Sequence, residues 1–231
     1  VWADWWTLLH PPYTAWHLSY VVIGAGLATS IDWTALAATV LAFALAVGVA
    51  AHALDELHGR PLGTQIRAST LRTSAGISLS AAVAIGAVMT PRIGWRVIPL
   101  IVVGVALVLG YNLELFGGRL HTDIGFALCW GGFPTLVGWL AQRIPVTPAS
   151  VAALAAVVTA STALSLGQRR LSTPARLLRR QAQTVSGTLV GVGGNTLQIN
   201  RAMLLHPLEE VLRAFSWAVP LLAIALLLSR A

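Results

Sequence analysis

Seven stretches of the chain, residues 13–31, 34–54, 74–89, 95–116, 124–141, 151–166 and 212–228, are apolar and almost free of charge. A helix needs about 20 such residues to cross the hydrocarbon of a bilayer, where every backbone amide must be hydrogen-bonded within the protein. The expected fold is therefore all-α: a polytopic transmembrane helix bundle of about seven helices, with residues 1–231 forming one membrane domain. Composition points the same way. Charged residues make up 10% of the chain and hydrophobic residues 56%, against roughly 25% charged in soluble domains, which excludes a water-soluble monomer.

The first apolar run has no basic residue before it, and Trp2, Trp5, Trp6 and Trp16 crowd its entrance as an interfacial aromatic belt. It reads as a retained helix rather than a leader. The net charge is +7, and all of the basic residues are arginine. In a soluble chain that excess would suggest a nucleic-acid partner; here the arginines lie between apolar runs, and membrane topology accounts for them. With the N-terminus in the cytoplasm, Arg60, Arg67, Arg72, Arg119, Arg169, Arg170, Arg176, Arg179, Arg180, Arg201 and Arg213 fall on the cytoplasmic side, and only Arg92, Arg96, Arg143 and Arg230 on the other. The chain is thus expected in the cytoplasmic membrane of a bacterium. Residues 167–205 hold six arginines, the helix-start signal Ser172-Thr173-Pro174 and a glycine-rich stretch 187–195. They read as a cytoplasmic cap, an interfacial helix followed by a hairpin-like piece. The glycines 191–194 match no phosphate-loop spacing, and the single cysteine, Cys129, permits no intrachain disulfide.

Apart from Asp4 and Asp32, the carboxylates fall in three short stretches, each with histidine. The first, at the end of the second apolar run, contains His52, Asp55, Glu56, His58 and Arg60. His52, Asp55 and Glu56 stand at i, i+3 and i+4 and are expected on one helix face. The second, after the fourth run, contains Tyr111, Glu114, Arg119, His121 and Asp123. Gly117-Gly118 there lets His121 and Asp123 face back toward Glu114. The third is His206-Pro207-Leu208-Glu209-Glu210, expected to open the last helix with the same spacing as the first. Carboxylates near hydrocarbon are costly. Six at one depth need a counter-charge, from Arg60, Arg119, Arg213 or a divalent cation, and His52, Asp55, Glu56, Glu114, His121, Asp123, His206 and Glu209 form the candidate ligand set. Pairing with arginine at wet helix ends is the plain structural alternative.

The segment Arg60-Pro61-Leu62-Gly63-Thr64, following these acidic residues at the end of the second run, resembles the Arg-Pro-Leu segment after the first aspartate-rich motif of the UbiA superfamily of intramembrane prenyltransferases. The entrance His10-Pro11-Pro12-Tyr13, together with Tyr111 and Trp130-Gly131-Gly132-Phe133-Pro134, extends the similarity over roughly residues 10–140. The chain would be a divergent, shortened member: the family typically has nine transmembrane helices, and its second aspartate-rich motif is missing because residues 167–201 contain no Asp or Glu. The resemblance implies a membrane enzyme acting on an isoprenoid or other lipidic substrate. Asp55, Glu56 and Glu114 would hold magnesium, His52 would ligate or act as base, and Arg60, Tyr111 and Arg119 would bind the anionic head.

Imidazole beside carboxylate favours iron, zinc or manganese over magnesium. A di-metal oxidoreductase, such as a lipid hydroxylase or desaturase built on His52, Glu114, His121, His206 and Glu209, is thus a second expectation. A non-enzymatic transporter or assembly subunit with internally paired charges is a third. The Arg169–Arg180 row reads as an anchor for anionic lipid or, alternatively, a lid over a diphosphate.

Overall fold

The computed structural model describes residues 2–230. A short helix α1 (Trp2–Leu9) leads into α2 (Pro11–Ala25), α3 (Trp33–Leu57), α4 (Ala68–Ile93), α5 (Val97–Asn112), α6 (Asp123–Ala141) and α7 (Pro148–Arg180). An antiparallel hairpin of β1 (Ser186–Val190) and β2 (Thr196–Asn200), with Ser186 opposite Asn200, then precedes α8 (Arg201–Leu228). Each of the seven apolar runs lies on a helix, and five of the described helices, α3, α4, α6, α7 and α8, are long and apolar enough to cross a membrane. The protein is an integral membrane helix bundle. Helices α2 and α5 have only 15 and 16 residues. At 1.5 Å per residue, α2 is about 22 Å long, short of a bilayer core of about 30 Å.

Helix α2 sits inside the bundle, against α6, α8, α3 and α7. Its Trp16 and Tyr20 are fully buried, the indole N–H donating to the Tyr20 hydroxyl at 2.6 Å, and Val219 and Phe215 of α8 pack over them. Against α6 there is no room for side chains. A Cβ on Gly24 would overlap the Thr135 carbonyl, and one on Gly138 the Val21 carbonyl. Such small-residue contacts let membrane helices approach at backbone distance, where dispersion replaces the hydrophobic effect as the attraction. On the flank of α6 that faces α7, the Ser161 hydroxyl donates to the Thr135 hydroxyl at 2.9 Å, whose own proton goes to the Gly131 carbonyl. Helices α3, α4 and α5 complete the other side.

Two segments depart from α geometry: residues Ala44–Ala51 of α3 and Leu128–Gly132 of α6 are π-helical. They meet in one buried cluster through Val47, Ala51, Cys129 and Trp130, with Val108 and Tyr111 of α5. π-Helical turns inside α-helices concentrate at functional sites.

Of the expected cap over 167–205, the hairpin-like piece is present as β1 and β2, but no separate interfacial helix forms. Helix α7 runs unbroken through Ser172-Thr173-Pro174 to Arg180. A proline removes one backbone donor, here the partner of the Arg170 carbonyl, without ending the helix. Helix α8 begins at Arg201, where Asn200 accepts from the Met203 amide, so His206 and Pro207 lie inside the helix and do not open it. What stands apart from the helices is the hairpin alone. The first helix also ends at Ala25 instead of residue 31.

At the end of the bundle away from α1, Asp32 caps α3 by accepting from the Ala35 amide and receives the Arg92 Nε at 2.7 Å. Gln142 closes the knot through the Asp32 backbone. The Arg92 hydrogen bond holds the Asp32 carboxyl below the ordinary carboxylate range. A carboxylate with a depressed folded pKa stabilises above its unfolded value, about 3.9, and loses that contribution as pH falls through the folded one. Asp32→Asn keeps the cap, since asparagine caps equally well, and removes only the ion pair. Thermal unfolding at pH 7 should show a loss of about 0.2–1 kcal/mol, and the parent's advantage should vanish as the pH is lowered below about 4. In contrast, Gly138→Leu should prevent seating of α2 on α6 and cost roughly 1–3 kcal/mol or more, read as early melting in detergent.

Candidate functional site

At the end of the bundle where α3, α5 and α7 terminate, a polar chamber of about 360 Å³ opens among α2, α3, α5, α6 and α7. Its volume is that of a ligand pocket. Helix α2 supplies Tyr13 and His17, with His10 just before it; α3 supplies His52 and Asp55; α5 and the turn after it supply Tyr111, Asn112, Glu114 and His121. One wall is made by α7, with Gln168, Arg169, Arg176, Arg179 and Arg180. Beneath it, an apolar crevice of about 100 Å³ runs between α3, α4, α5 and α6, past Phe43, Leu79, Met89, Ile101 and Phe133. Val47 and Trp130 line both spaces, so the crevice adjoins the chamber's floor.

The sequence-predicted residues divide sharply. His52, Asp55, Tyr111, Glu114 and His121 all line the chamber. His121 lies 3.8 Å from Glu114 and stacks on Tyr111 at 4.5 Å between ring centroids, and His58 reaches Glu114 at 3.7 Å from the other side. The turn that brings Glu114 round is strained: Glu114 and Phe116 both have positive φ, of 49° and 60°, ahead of Gly117 and Gly118. His10, also on the chamber wall, has φ 42°. Left-handed non-glycine residues cost of order 1–3 kcal/mol each and cluster at functional sites.

Glu56 does not share the face of His52 and Asp55. Adjacent helical residues point about 100° apart, and Glu56 turns into the protein, fully buried, where it accepts from the amides of Leu62 and Thr64 and from the Thr64 hydroxyl at 2.8–2.9 Å. Arg60, at 4.0 Å from Glu56, is spent on the carbonyls of Thr64 and Ile66. The Arg60-Pro61-Leu62-Gly63-Thr64 segment is thus a loop wrapped around the buried carboxylate of Glu56, and Arg60 is not a head-group clamp in this geometry. Arg119 is exposed and off the chamber. Asp123, half exposed, faces back to Arg169 at 3.4 Å and not to Glu114. His206 pairs with Glu210 on the outside at 3.5 Å, and Glu209 is bound by Arg179. The expected convergence of His206 with His52 and Glu114 is corrected: α8 begins earlier than its hydropathy suggests, leaving this stretch outside the chamber. Among the described residues, no group of three or more His, Cys, Asp or Glu is gathered to hold a metal ion by itself.

The chamber's positive wall was visible in the sequence only as the Arg169–Arg180 row. Its guanidinium groups are unequally committed. Arg179 is tied to Glu209, Arg180 donates to the Pro61 carbonyl at 2.7 Å, and Arg169 lies over the Phe126 ring. Half-buried Arg176 has no ion pair or hydrogen bond among the described residues. Asp55, facing it at longer range, also makes none. Burial, with His52 and Arg180 nearby, lowers the pKa of His10 to about 4, leaving a neutral imidazole at pH 7. His17, placed in sequence only as part of the first helix, is a site residue that could have been picked out: an imidazole midway in an apolar run is rare and functional by default. The arrangement offers cationic groups to an anion, two carboxylates beside them and an apolar space below.

Compared with protein-family models, curated proteins and solved structures, the chain matches none.

The division of the acidic pair Asp55-Glu56 gives opposite expectations for neighbouring substitutions. Glu56→Gln removes an acceptor from a buried three-donor cradle and should cost about 3–5 kcal/mol, with melting strongly lowered. Asp55→Asn, at a position with no bonded partner, should leave the melting temperature within a few degrees of the parent.

Proposed function

We propose that the protein is an integral membrane enzyme of the UbiA-like, prenyltransferase kind, which holds an isoprenoid diphosphate with its head in the chamber and its chain in the crevice. The observation that carries this reading is the junction at Val47 and Trp130 of an arginine-walled chamber with an apolar crevice: the outline of an amphiphile with an anionic head. The resemblance around Arg60-Pro61-Leu62 supports it, and so does Asp55, near the end of α3. With most of the arginines at the chamber end, the positive-inside bias supports a cytoplasmic orientation for that end.

In this reading Arg176 and Arg169 bind the diphosphate oxygens, because a planar guanidinium matches phosphate bidentately. Asp55 and Glu114 do not suffice as an all-protein metal cage, but magnesium characteristically takes one or two carboxylates and completes its octahedron with substrate phosphates and water. So held, it would compensate charge on a departing diphosphate. Neutral His10 adds no charge to the chamber, and the aromatic walls of Tyr111, Phe126 and Trp130 exclude water from the head's inner side. The di-metal alternative has less support, since His206 and Glu209 lie outside.

The test is equilibrium binding of farnesyl diphosphate to the full chain in nanodiscs, with and without magnesium. Arg176→Gln should weaken binding at least tenfold, the loss of one charge-assisted contact of about 1.5–3 kcal/mol. Asp55→Asn and Glu114→Gln should abolish the magnesium dependence, whereas Arg96→Gln, at the far end of the bundle, should change nothing. No binding by the parent protein, or equal binding by parent and Arg176→Gln, would overturn the reading.

A further inference from the structure

One element outside the chamber leaves its apolar side chains uncovered. The stretch 181–200 contains no charged and no aromatic residue, and most of it is the hairpin of β1 and β2. Its register sets Leu189 opposite Leu197 and Gly187 opposite Ile199. Directly opposed residues share a face, so these pairs make an apolar face, and Thr188 with Gln198 and Ser186 with Asn200 make a polar one. A bonded turn joins the strands: Gly191 donates to the Asn195 carbonyl at 2.8 Å, and Gly194, at φ 80°, donates to the Gly191 carbonyl at 2.9 Å. This turn holds Val192 wholly in the open beside Val190, which is 68% exposed, while Leu189 and Leu197 are half exposed. Beyond its own pairing, the hairpin packs against α8 through β2. A lone two-stranded hairpin is marginal in water, and aliphatic side chains gathered in the open mark a surface that something covers.

The chemistry of the hairpin narrows what that cover is. Its tip is purely aliphatic and lacks the aromatic, methionine and arginine anchors that dominate protein interfaces, whereas lipid rewards apolar area without regard to shape. Charge lies behind the tip and not on it. Arg179 and Arg180 end α7, Arg201 begins α8, and residues 167–208 hold six arginines and no carboxylate. Arg201 donates to the Arg179 carbonyl at 2.6 Å and Arg180 to the Pro61 carbonyl at 2.7 Å. A carbonyl cancels no charge, and Glu209, just beyond this stretch, offsets Arg179 alone. A cationic base behind an apolar tip complements an anionic bilayer surface. The reach is also right: outside the apolar runs, α7 continues over 167–180 and α8 over 201–211, about 16–21 Å at 1.5 Å per residue. Two strands of five residues with their turn span about that distance. We infer that the hairpin is a membrane-contacting element, whose tip, Leu189 to Val192 with Leu197, seats among the headgroups of the anionic bilayer that the helices cross. Nothing in this depends on what the chamber binds.

The test is site-directed fluorescence on the full chain in nanodiscs, made of phosphatidylcholine alone or of phosphatidylcholine mixed with phosphatidylglycerol. Leu189→Cys and Val192→Cys place a thiol-linked fluorophore on the apolar face and the tip, and Thr188→Cys and Gln198→Cys place it on the polar face. The native Cys129 is buried, so the parent chain, treated with the same fluorophore, gives the background. Nitroxide-bearing lipid quenches what touches the bilayer, and acrylamide quenches what faces water. In the mixed discs, labels at 189 and 192 should be quenched by the nitroxide lipid several-fold more than labels at 188 and 198, and by acrylamide several-fold less. Lipid quenching should fall several-fold in phosphatidylcholine alone. Adding Val190→Asp to the Val192→Cys chain should also lower it several-fold, while the melting temperature in detergent holds, because residue 190 is exposed. Lipid quenching at 192 no greater than at 188 and 198 overturns the proposal. So does shielding of 192 from acrylamide without lipid quenching, the mark of a second copy or another protein over the tip. Equal lipid quenching in both kinds of disc overturns the choice of an anionic surface. No ligand is present in any of these measurements, so their failure and that of the diphosphate reading are separate outcomes.

Discussion

The seating of α2 on α6 at backbone distance is the contact from which the rest of the architecture follows. Because Gly24 meets Thr135 and Gly138 meets Val21 without intervening side chains, a helix too short to cross a bilayer by itself is held inside the bundle. There its neighbours, not lipid, surround its ends. That position lets α2 carry a histidine and a tyrosine into the chamber, and it brings His17 within hydrogen-bonding distance of the Trp130 backbone. In hydrocarbon no hydrophobic effect draws helices together, so association depends on close packing of this kind. A side chain at either glycine would separate not only two helices but also the two halves of the chamber floor.

Around that floor, charge is sorted by depth. The four α7 guanidinium groups that line the chamber sit toward its rim; three are anchored by Glu209, the Pro61 carbonyl or the face of Phe126, and Arg176 has no such partner among the described residues. Deeper in, the lining is His17, His52, Tyr111 and Gln168, and below Val47 and Trp130 it is almost wholly apolar. Such a gradient suits a molecule that is itself graded from anion to hydrocarbon. Maintaining it has a structural cost, visible in the left-handed backbone of His10 and Glu114 on the chamber wall.

How much of this was legible in the sequence depends on the distance over which each feature is decided. Apolar runs report helices directly, because burial in lipid is a property of some 20 consecutive residues, and each of the seven runs lies on a helix. The stretches that pair carboxylates with histidines at the end of α3 and in the turn after α5 both reach the chamber. The failures came where a tertiary partner decides. Glu56 has the same residue type and spacing as a ligand, yet the Leu62 and Thr64 amides claim it. Pro174 carries a helix-start signal, but α7 passes through it. His206 repeats the spacing of the first stretch, though the extra turns at the start of α8 leave it outside. Gln168 and Arg176 gave no signal beyond a polar, arginine-rich tail, since nothing local says which side of a long helix faces a cavity.

The π-helical turns of α3 and α6 have a consequence for how the protein tolerates changes in length. A π-turn holds about one residue more than an α-turn, so the stretch Ala44–Ala51 contains slack that an α-helix does not. Deleting one residue there would let the helix relax to α geometry without loss of hydrogen bonding, and the bundle would survive. Because the wide turn absorbs the extra residue, the part of α3 beyond it would keep its azimuth, with His52 and Asp55 on the chamber and Glu56 in its cradle. The same deletion in a regular α stretch would turn everything after it by about 100°, so the π-helical stretch is the one part of α3 where a lost residue leaves the site's orientation intact.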